Sequence, residues 1–222
     1  MGTYVIGDRH GDFEELILFS IKMNLTEKDN LIVLGDMGLC WRKDMQDATK
    51  FIFKWEELME ERPMLYFIDG NHENFDILKQ ALPTGIISPH IQWLPRGTVK
   101  EFEGKKCLFI GGADSIDKFR RIKHLSWWED EQITQADIDK CSAETFDYVF
   151  SHACPYSIFQ NYAAILGDPQ FAGEEFDRTS EEMLDKLKNK IQFNHWWFGH
   201  YHKDVSLNDK FCCLYNNWKE LV

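Results

Sequence analysis

Tyr4-Val5-Ile6-Gly7-Asp8-Arg9-His10-Gly11 opens the chain as a short apolar run that stops at a glycine and is followed at once by Asp and His. A run of this length and residue type reads as a buried strand, and the Gly, Asp and His mark where the backbone leaves the sheet. The same grammar recurs. Leu31 to Leu34 runs into Gly35-Asp36-Met37-Gly38, Met64 to Ile68 into Gly70-Asn71-His72-Glu73, Tyr148 to Phe150 into Ser151-His152, and Trp196 to Phe198 into Gly199-His200-Tyr201-His202. Cys107 to Ile110 is a further run, ending at Gly111. Helical stretches lie between several of these: Phe13 to Met23, Gln46 to Glu61 with Phe51, Trp55 and Leu58 on one stripe, Phe75 to Leu82, and Glu181 to Lys190. Strand and helix in alternation predict an α/β layered fold.

After Pro83 the pattern changes to short segments, Ile91 to Leu94 and Thr98 to Phe102, with Glu103-Gly104 as a hairpin turn into Lys106 to Ile110. The sheets are therefore expected to be mixed rather than purely parallel. No repeat, low-complexity tract or linker composition interrupts the chain, so a single domain over residues 1–222 is expected. Residues 115–142 are the least regular and most charged stretch, and are a candidate cap beside the site.

The 222 residues are 44% hydrophobic, ample for one core. The net charge of -12, from 25 basic and 37 acidic residues, disfavours a long nucleic acid as partner, because such binding depends on neutralising many phosphates. Bound cations can still make one pocket locally positive. Six cysteines without a C-x-x-C pair, two of them the adjacent Cys212 and Cys213, do not form a disulfide framework and read as reduced, buried thiols. With no apolar n-terminal leader and no run approaching the roughly 20 residues that cross a bilayer, a cytoplasmic protein without a membrane partner is expected.

Asp8 and His10 stand two apart at the end of the first strand, so both can turn toward one metal ion. Asp36 follows the second run, and a carboxylate with two oxygens suits a position between two cations roughly 3.5–4 Å apart. Asn71 offers an amide oxygen, while His152, His200 and His202 add imidazoles at later strand ends. Any one block alone is a common turn. All of them together, each at the C-terminal end of a predicted strand, converge on the face where open α/β sheets hold ligands. Mixed imidazole and oxygen donors suit Mn, Fe, Zn, Co or Ni better than Ca or a lone Mg.

This order of blocks resembles the calcineurin-like metallophosphoesterase superfamily, with its Asp-x-His, Gly-Asp, Gly-Asn-His followed by Glu or Asp, His and Gly-His-x-His pattern, from Gly7 to His202. The resemblance implies a four-layer α/β/β/α sandwich with the metal site at the strand C-terminal ends. It implies two divalent metal ions, Mn or Fe foremost: Asp8, His10, Asp36 and His202 would hold one, and Asp36, Asn71, His152 and His200 the other, with Asp36 shared. It further implies hydrolysis of phosphoesters by a metal-bound hydroxide, and it places His72 as the catalytic residue that contacts the phosphoryl or leaving oxygen. Glu73 either completes that block or is a helix-start carboxylate.

Protein Ser/Thr phosphatases and dinucleoside tetraphosphate hydrolases of the superfamily continue the second block with Val-Asp-Arg-Gly, whose Arg grips phosphate. Here Gly35-Asp36-Met37-Gly38-Leu39-Cys40-Trp41-Arg42 lacks it in register, and Arg42 can substitute only from another geometry. The stretch from Gly111 to Lys118, followed by Arg121 and then Ser126-Trp127-Trp128-Glu129, resembles a block of uncharacterised bacterial and phage members. Lys118, Arg120 and Arg121 are candidate phosphate-binding residues, against the plain alternative of a solvated basic turn. Arg9 either points at substrate or pairs with Asp12. Trp196-Trp197 reads as core, and Trp127-Trp128 stays open between core and base stacking. The expected activity is hydrolysis of a small phosphomonoester or phosphodiester. The alternatives are a nucleotide phosphodiesterase or nuclease, a protein phosphatase, and a scaffold that binds a partner through the metal face. The expected partner is a phosphorylated small molecule or nucleotide.

Overall fold

The computed structural model describes residues 1–41, 45–58, 61–167 and 176–222. Arg42 therefore lies outside the described residues. The first half of the chain runs β1 (Thr3–Ile6), α1 (Phe13–Lys22), β2 (Asn30–Val33), α2 (Gln46–Phe53), β3 (Met64–Phe67), α3 (Phe75–Leu78), β4 (Ile86–Ser88), β5 (Ile91–Trp93), β6 (Thr98–Phe102) and β7 (Lys105–Ile110). The second half runs α4 (Gln135–Lys140), β8 (Thr145–Ser151), α5 (Tyr156–Leu166), α6 (Thr179–Lys190), β9 (Gln192–Phe198), β10 (Val205–Ser206), β11 (Phe211–Cys213) and β12 (Trp218–Glu220).

Among the described residues the strands form two six-stranded sheets, ordered β12-β1-β2-β3-β5-β4 and β10-β11-β9-β8-β7-β6. In the first, β1, β2, β3 and β5 are parallel and both edges, β12 and β4, are antiparallel. In the second, β11, β9, β8 and β7 are parallel, again with antiparallel edges at β10 and β6.

Strand alternation divides the apolar side chains among three layers of core. Val5, Ile32, Tyr66, Phe109, Phe150 and Trp197 fill the space between the two sheets. Their chain neighbours Ile6, Leu31, Val33, Leu65 and Phe67 face Phe13 and Leu16 of α1, Phe51 of α2 and Leu78 of α3. On the far side, Leu108, Val149, Trp196 and Phe198 meet Ile138 of α4, Ile158 of α5 and Leu184 of α6. Runs that are apolar at every position are thus buried on both faces. The result is the expected four-layer α/β/β/α sandwich with mixed sheets.

The hairpin turn falls at Glu103 and Gly104, both with positive φ (52° and 75°), as a tight turn between right-twisted strands requires. The helix expected over Gln46 to Glu61 is regular only to Phe53 and widens into a π turn at Lys54–Leu58, with Phe51 and Trp55 both buried. The helix expected over Phe75 to Leu82 tightens to a 3₁₀ turn at Lys79–Ala81.

Candidate metal centre

Parallel strands put their C-terminal ends on one side, and here the two sheets bring those ends together. Asp8 follows β1, Asp36 follows β2, Asn71 and His72 follow β3, His152 follows β8, and His200 and His202 follow β9. Main-chain and side-chain hydrogen bonds cross the junction: His200 N donates to Asp8 Oδ1 at 2.9 Å and His152 Nδ1 donates to the Leu34 carbonyl at 2.7 Å. The approach is so close that two motif glycines admit no side chain. A Cβ on Gly70 would stand 2.1 Å from Asp36 Oδ1, and one on Gly199 would stand 2.2 Å from Asp8 Oδ1. His10, Asp36, His200 and His202 all have left-handed φ, between 45° and 66°, a conformation that is costly for non-glycine residues and concentrates at functional sites.

Among the described residues, three overlapping clusters have ligand atoms within 4.8 Å of one another: Asp8 with His10 and His202; Asp8 with Asp36 and His152; and Asp36 with His10 and His72. Asp36 takes part in two of them. Its Oδ2 lies 3.4 Å from His152 Nε2 and 3.8 Å from His10 Nδ1, while Asp8 Oδ2 lies 3.2 Å from His202 Nε2. Asn71 Oδ1 is 3.3 Å from His152 Nε2, and the His200 ring is 5.0 Å from that of His152. All seven predicted ligands therefore surround one small volume.

Asp8, Asp36 and His152 are essentially inaccessible to water. Burial alone would raise the two carboxyls, yet His152, with His202 for Asp8 and His72 for Asp36, holds both below the ordinary range, Asp36 far below. Burial likewise works against a charge on His152, but Asp36 and Asp8 lift its pKa to about 10. His200 goes the other way, to about 3, through burial and the neighbouring His152. Two ionised carboxylates in a dry centre demand positive charge. In the protein alone a proton on His152 supplies it, and divalent cations bound among these imidazole and oxygen donors would satisfy the same demand, so the residues fit a metal centre.

The ligands are held from behind. Ser115 Oγ donates to Glu131 Oε2 at 2.7 Å, and Ser115 N donates to Glu131 Oε1 at 2.7 Å. With its hydrogen committed, that hydroxyl accepts from Asn71 Nδ2 at 3.2 Å, which turns Asn71 Oδ1 toward His152. Glu131 is fixed in turn by Arg96, which pairs with Asp69 and donates to the carbonyls of Asp130, Glu131 and Gln132. Tyr201, between two ligands, donates to Glu181 at 2.6 Å. Sequence reasoning assigned no role to Ser115, Glu131, Arg96 or Glu181.

Beside the centre lies an open cleft of about 640 Å³, lined by Asp36, His72, Asp117, Arg120, Arg121 and Arg178 among others. Arg121 reaches furthest in, donating to His72 Nε2 at 2.9 Å and to the Asn71 carbonyl at 3.3 Å. His72 Nδ1 donates to Asp36 Oδ2 at 2.7 Å. Lys118 instead pairs with Asp177 and does not line the cleft.

Arg9 is not among the residues that line the cleft, and it does not pair with Asp12. Its guanidinium is buried, donating to Glu15 at 2.5 Å, to the Gly7 carbonyl at 3.2 Å and to the Tyr215 carbonyl. Glu73 is wholly buried, with Oε1 accepting from Gly38 N at 3.3 Å, and burial followed by Asp36 raises its carboxyl well above the ordinary range. The helix start is served by Asn74, whose side chain caps α3. Trp128 is core, its Nε1 bonded to Asp76, while Trp127 is half-buried and donates to Glu131. Trp196 and Trp197 are buried as expected.

The chain matches the calcineurin-like phosphoesterase family over residues 1–204. No curated protein matches it. Among solved structures it is similar to a protein serine/threonine phosphatase from Saccharomyces cerevisiae at 13% identity and a TM-score of 0.39, covering 97% of this chain and 67% of that one. It is also similar to a cold-active protein-tyrosine phosphatase from a psychrophilic Shewanella species, at 12% identity and a TM-score of 0.35, covering 96% of this chain and 70% of that one. Overall similarities this low carry no argument, and membership rests on the match through residue 204. The chain belongs to the calcineurin-like phosphoesterases and is a metallophosphoesterase, a hydrolase that cleaves phosphoesters with the help of divalent metal ions.

Proposed function

We propose that the protein hydrolyses small phosphomonoesters or phosphodiesters at a dinuclear centre, Mn or Fe foremost, to both ions of which Asp36 would be a ligand. The observation that carries this reading is the convergence of Asp8, His10, Asp36, Asn71, His152, His200 and His202 from both sheets, beside a cleft that holds Arg121. Asp8, His10, Asp36 and His202 would hold one ion; Asp36, Asn71, His152 and His200 the other. When bound, the ions supply a water of lowered pKa as nucleophile and neutralise charge on the phosphoryl group.

The remaining chemistry belongs to the side chains. Within the cleft, Arg121 Nη2 donates its hydrogen to His72 Nε2. A phosphoryl oxygen entering the cleft is a stronger acceptor for that guanidinium than a neutral imidazole, and it releases Nε2. His72, held by Asp36 through Nδ1, is then placed to take up on Nε2 the proton that the attacking water loses and to pass it to the leaving oxygen, a contribution worth about 10²–10⁴ in rate. Hydrolysis balances as phosphorus gaining the hydroxyl of water while the leaving oxygen gains the proton. Arg120, at the cleft wall, adds positive charge.

The test is hydrolysis of a p-nitrophenyl monoester and diester by Mn-reconstituted protein at matched pH, with a chelated control. Metal-dependent turnover supports the reading, and the ratio of the two rates sorts monoester from diester preference. Unchanged metal binding in both Asp36→Asn and His152→Ala would overturn the ligand assignment.

A further inference from the structure

His72 has a cleft on each side. One is the basic cleft of Arg120, Arg121 and Arg178; the other, of about 340 Å³, is walled by His10, Phe13, Leu39, Trp41, Met45 and His72. The second is of a size typical of small-molecule pockets, roughly 300–1,000 Å³. Phe13 and Leu39 give its floor an apolar part, beside the polar groups of Asp47, Gly11 and Gly38, and Phe13 stacks on Phe51 at 4.6 Å with an interplanar angle of 17°.

Trp41 is the feature that selects a ligand. Its half-buried indole stands 5.1 Å from the His72 ring. Trp128 braces it edge-on at 5.9 Å, and the Arg121 guanidinium lies 5.7 Å from its ring. One indole thus touches both the residue that faces the leaving oxygen and the residue that faces phosphate. A flat π-face held at that junction costs little ordering on binding, and aromatic faces hold rings and nucleobases by stacking.

We infer that this second cleft is a subsite for a flat aromatic group on the substrate, with Trp41 as its platform, so that the preferred substrates are aryl or nucleoside phosphoesters. The inference rests on the phosphoesterase reading above. In this arrangement the phosphoryl group lies on the arginine side of His72 and the ring on the Trp41 side. Met45, unbranched and polarisable, closes the wall against rings of different outline.

The test is titration calorimetry on Mn-loaded protein with phenylphosphonate and methylphosphonate, which cannot be hydrolysed and differ only in the ring. Phenylphosphonate is expected to bind about tenfold tighter or more, the ratio to fall toward one in Trp41→Ala, and most of it to survive in Trp41→Phe. Equal binding of the two phosphonates by the native protein would overturn the inference, as would a ratio that persists in a folded Trp41→Ala. Phosphate release from adenosine monophosphate against ribose 5-phosphate, compared by kcat/KM, separates a nucleobase from a simple aryl ring. Phosphate release from phenyl phosphate is measured alongside: discrimination between phosphonates without turnover defeats the phosphoesterase reading alone, and turnover without discrimination defeats the subsite alone.

Discussion

Ser115→Ala is expected to weaken metal binding without touching a single metal ligand. The native hydroxyl gives its hydrogen to Glu131 Oε2 and accepts from Asn71 Nδ2 at 3.2 Å, and that acceptance decides which way the amide faces. Removing the oxygen leaves Nδ2 without this partner, so only the contacts of Oδ1 itself, with His152 Nε2 or with an ion, still oppose the flipped state, in which the amide offers hydrogens to the ions. Losses of this kind behind a ligand cost about 10–100-fold in metal affinity, roughly 1.4–2.7 kcal/mol. Competition with a chromophoric chelator for Mn²⁺ reads the effect, which should fall on one of two sites. Melting of the metal-free protein, where Asn71 has no ion to hold, checks that the fold is intact. Ser115→Thr keeps the hydroxyl and should retain most of the affinity. Glu131→Gln can place a donor where Oε2 accepts, reversing the hydroxyl and inviting the amide to flip, so it should resemble Ser115→Ala. Native affinity at both sites in a folded Ser115→Ala would show that the amide is oriented by something else.

Four further outcomes follow from the same geometry. Arg121→Ala should lower kcat/KM for a phosphomonoester by about 10–100-fold, the worth of a charge-assisted hydrogen bond, and steady-state kinetics will show no such loss if Arg121 serves only the fold. Arg9→Met should do the reverse, leaving KM near native while costing about 2 kcal/mol for orphaned carbonyls, a fall of roughly 4–8 °C in Tm; a raised KM with native Tm would contradict its burial. Asp137 is opposed by its burial, but Lys140, Arg96 and the Thr134 cap hold its carboxyl at about 2, so its contribution is complete above the ordinary carboxylate pKa of about 3.9 and disappears as pH falls toward 2. Asp137→Asn should accordingly flatten the dependence of Tm on pH across that window, and an unchanged slope would count against the shift. All six cysteines are buried, with thiols that burial pushes upward, Cys107 to about 12 for one; a disulfide reagent at neutral pH should find none of them until the protein is unfolded, and fast labelling of any would contradict the structure.

Elements whose own side chains are buried on both faces were legible, because an uninterrupted apolar run of three to five residues ending in Gly, Asp or Ser-His is too short for a buried helix and too apolar for a solvated loop. β1, β2, β3, β7, β8 and β9 all announce themselves in this way. Beyond the local β4 and α4, several elements not anticipated depend on partners far away in the chain. β10, β11 and β12 are two or three residues long, too short to show a period, and exist because β11 lies against β9 and β12 against β1. Helix α5 begins directly after Pro155, a start signal, but Tyr162 departs from helical φ and ψ within it.

The site shows the same division, sharpened by Arg9 and Tyr201. Each is the middle residue of a ligand-x-ligand block, Asp8-Arg9-His10 and His200-Tyr201-His202. Two side chains that turn toward one point leave the residue between them facing the opposite way. Arg9 accordingly runs back to Glu15 and the Tyr215 carbonyl, and Tyr201 runs back to Glu181. Parity of position therefore argues against Arg9 as a substrate ligand, whereas its charge argues for it, and geometry at two-residue spacing is the stronger constraint. No comparable rule reaches Ser115 and Glu131, which act on Asn71 from 44 and 60 positions along the chain and meet it through tertiary ties, among them Arg96 between the backbone at Glu131 and Asp69. Ligands can be read from local spacing because a metal ion needs several donors from strand ends; the groups that orient those ligands need only be close in space, and closeness in space is what folding supplies.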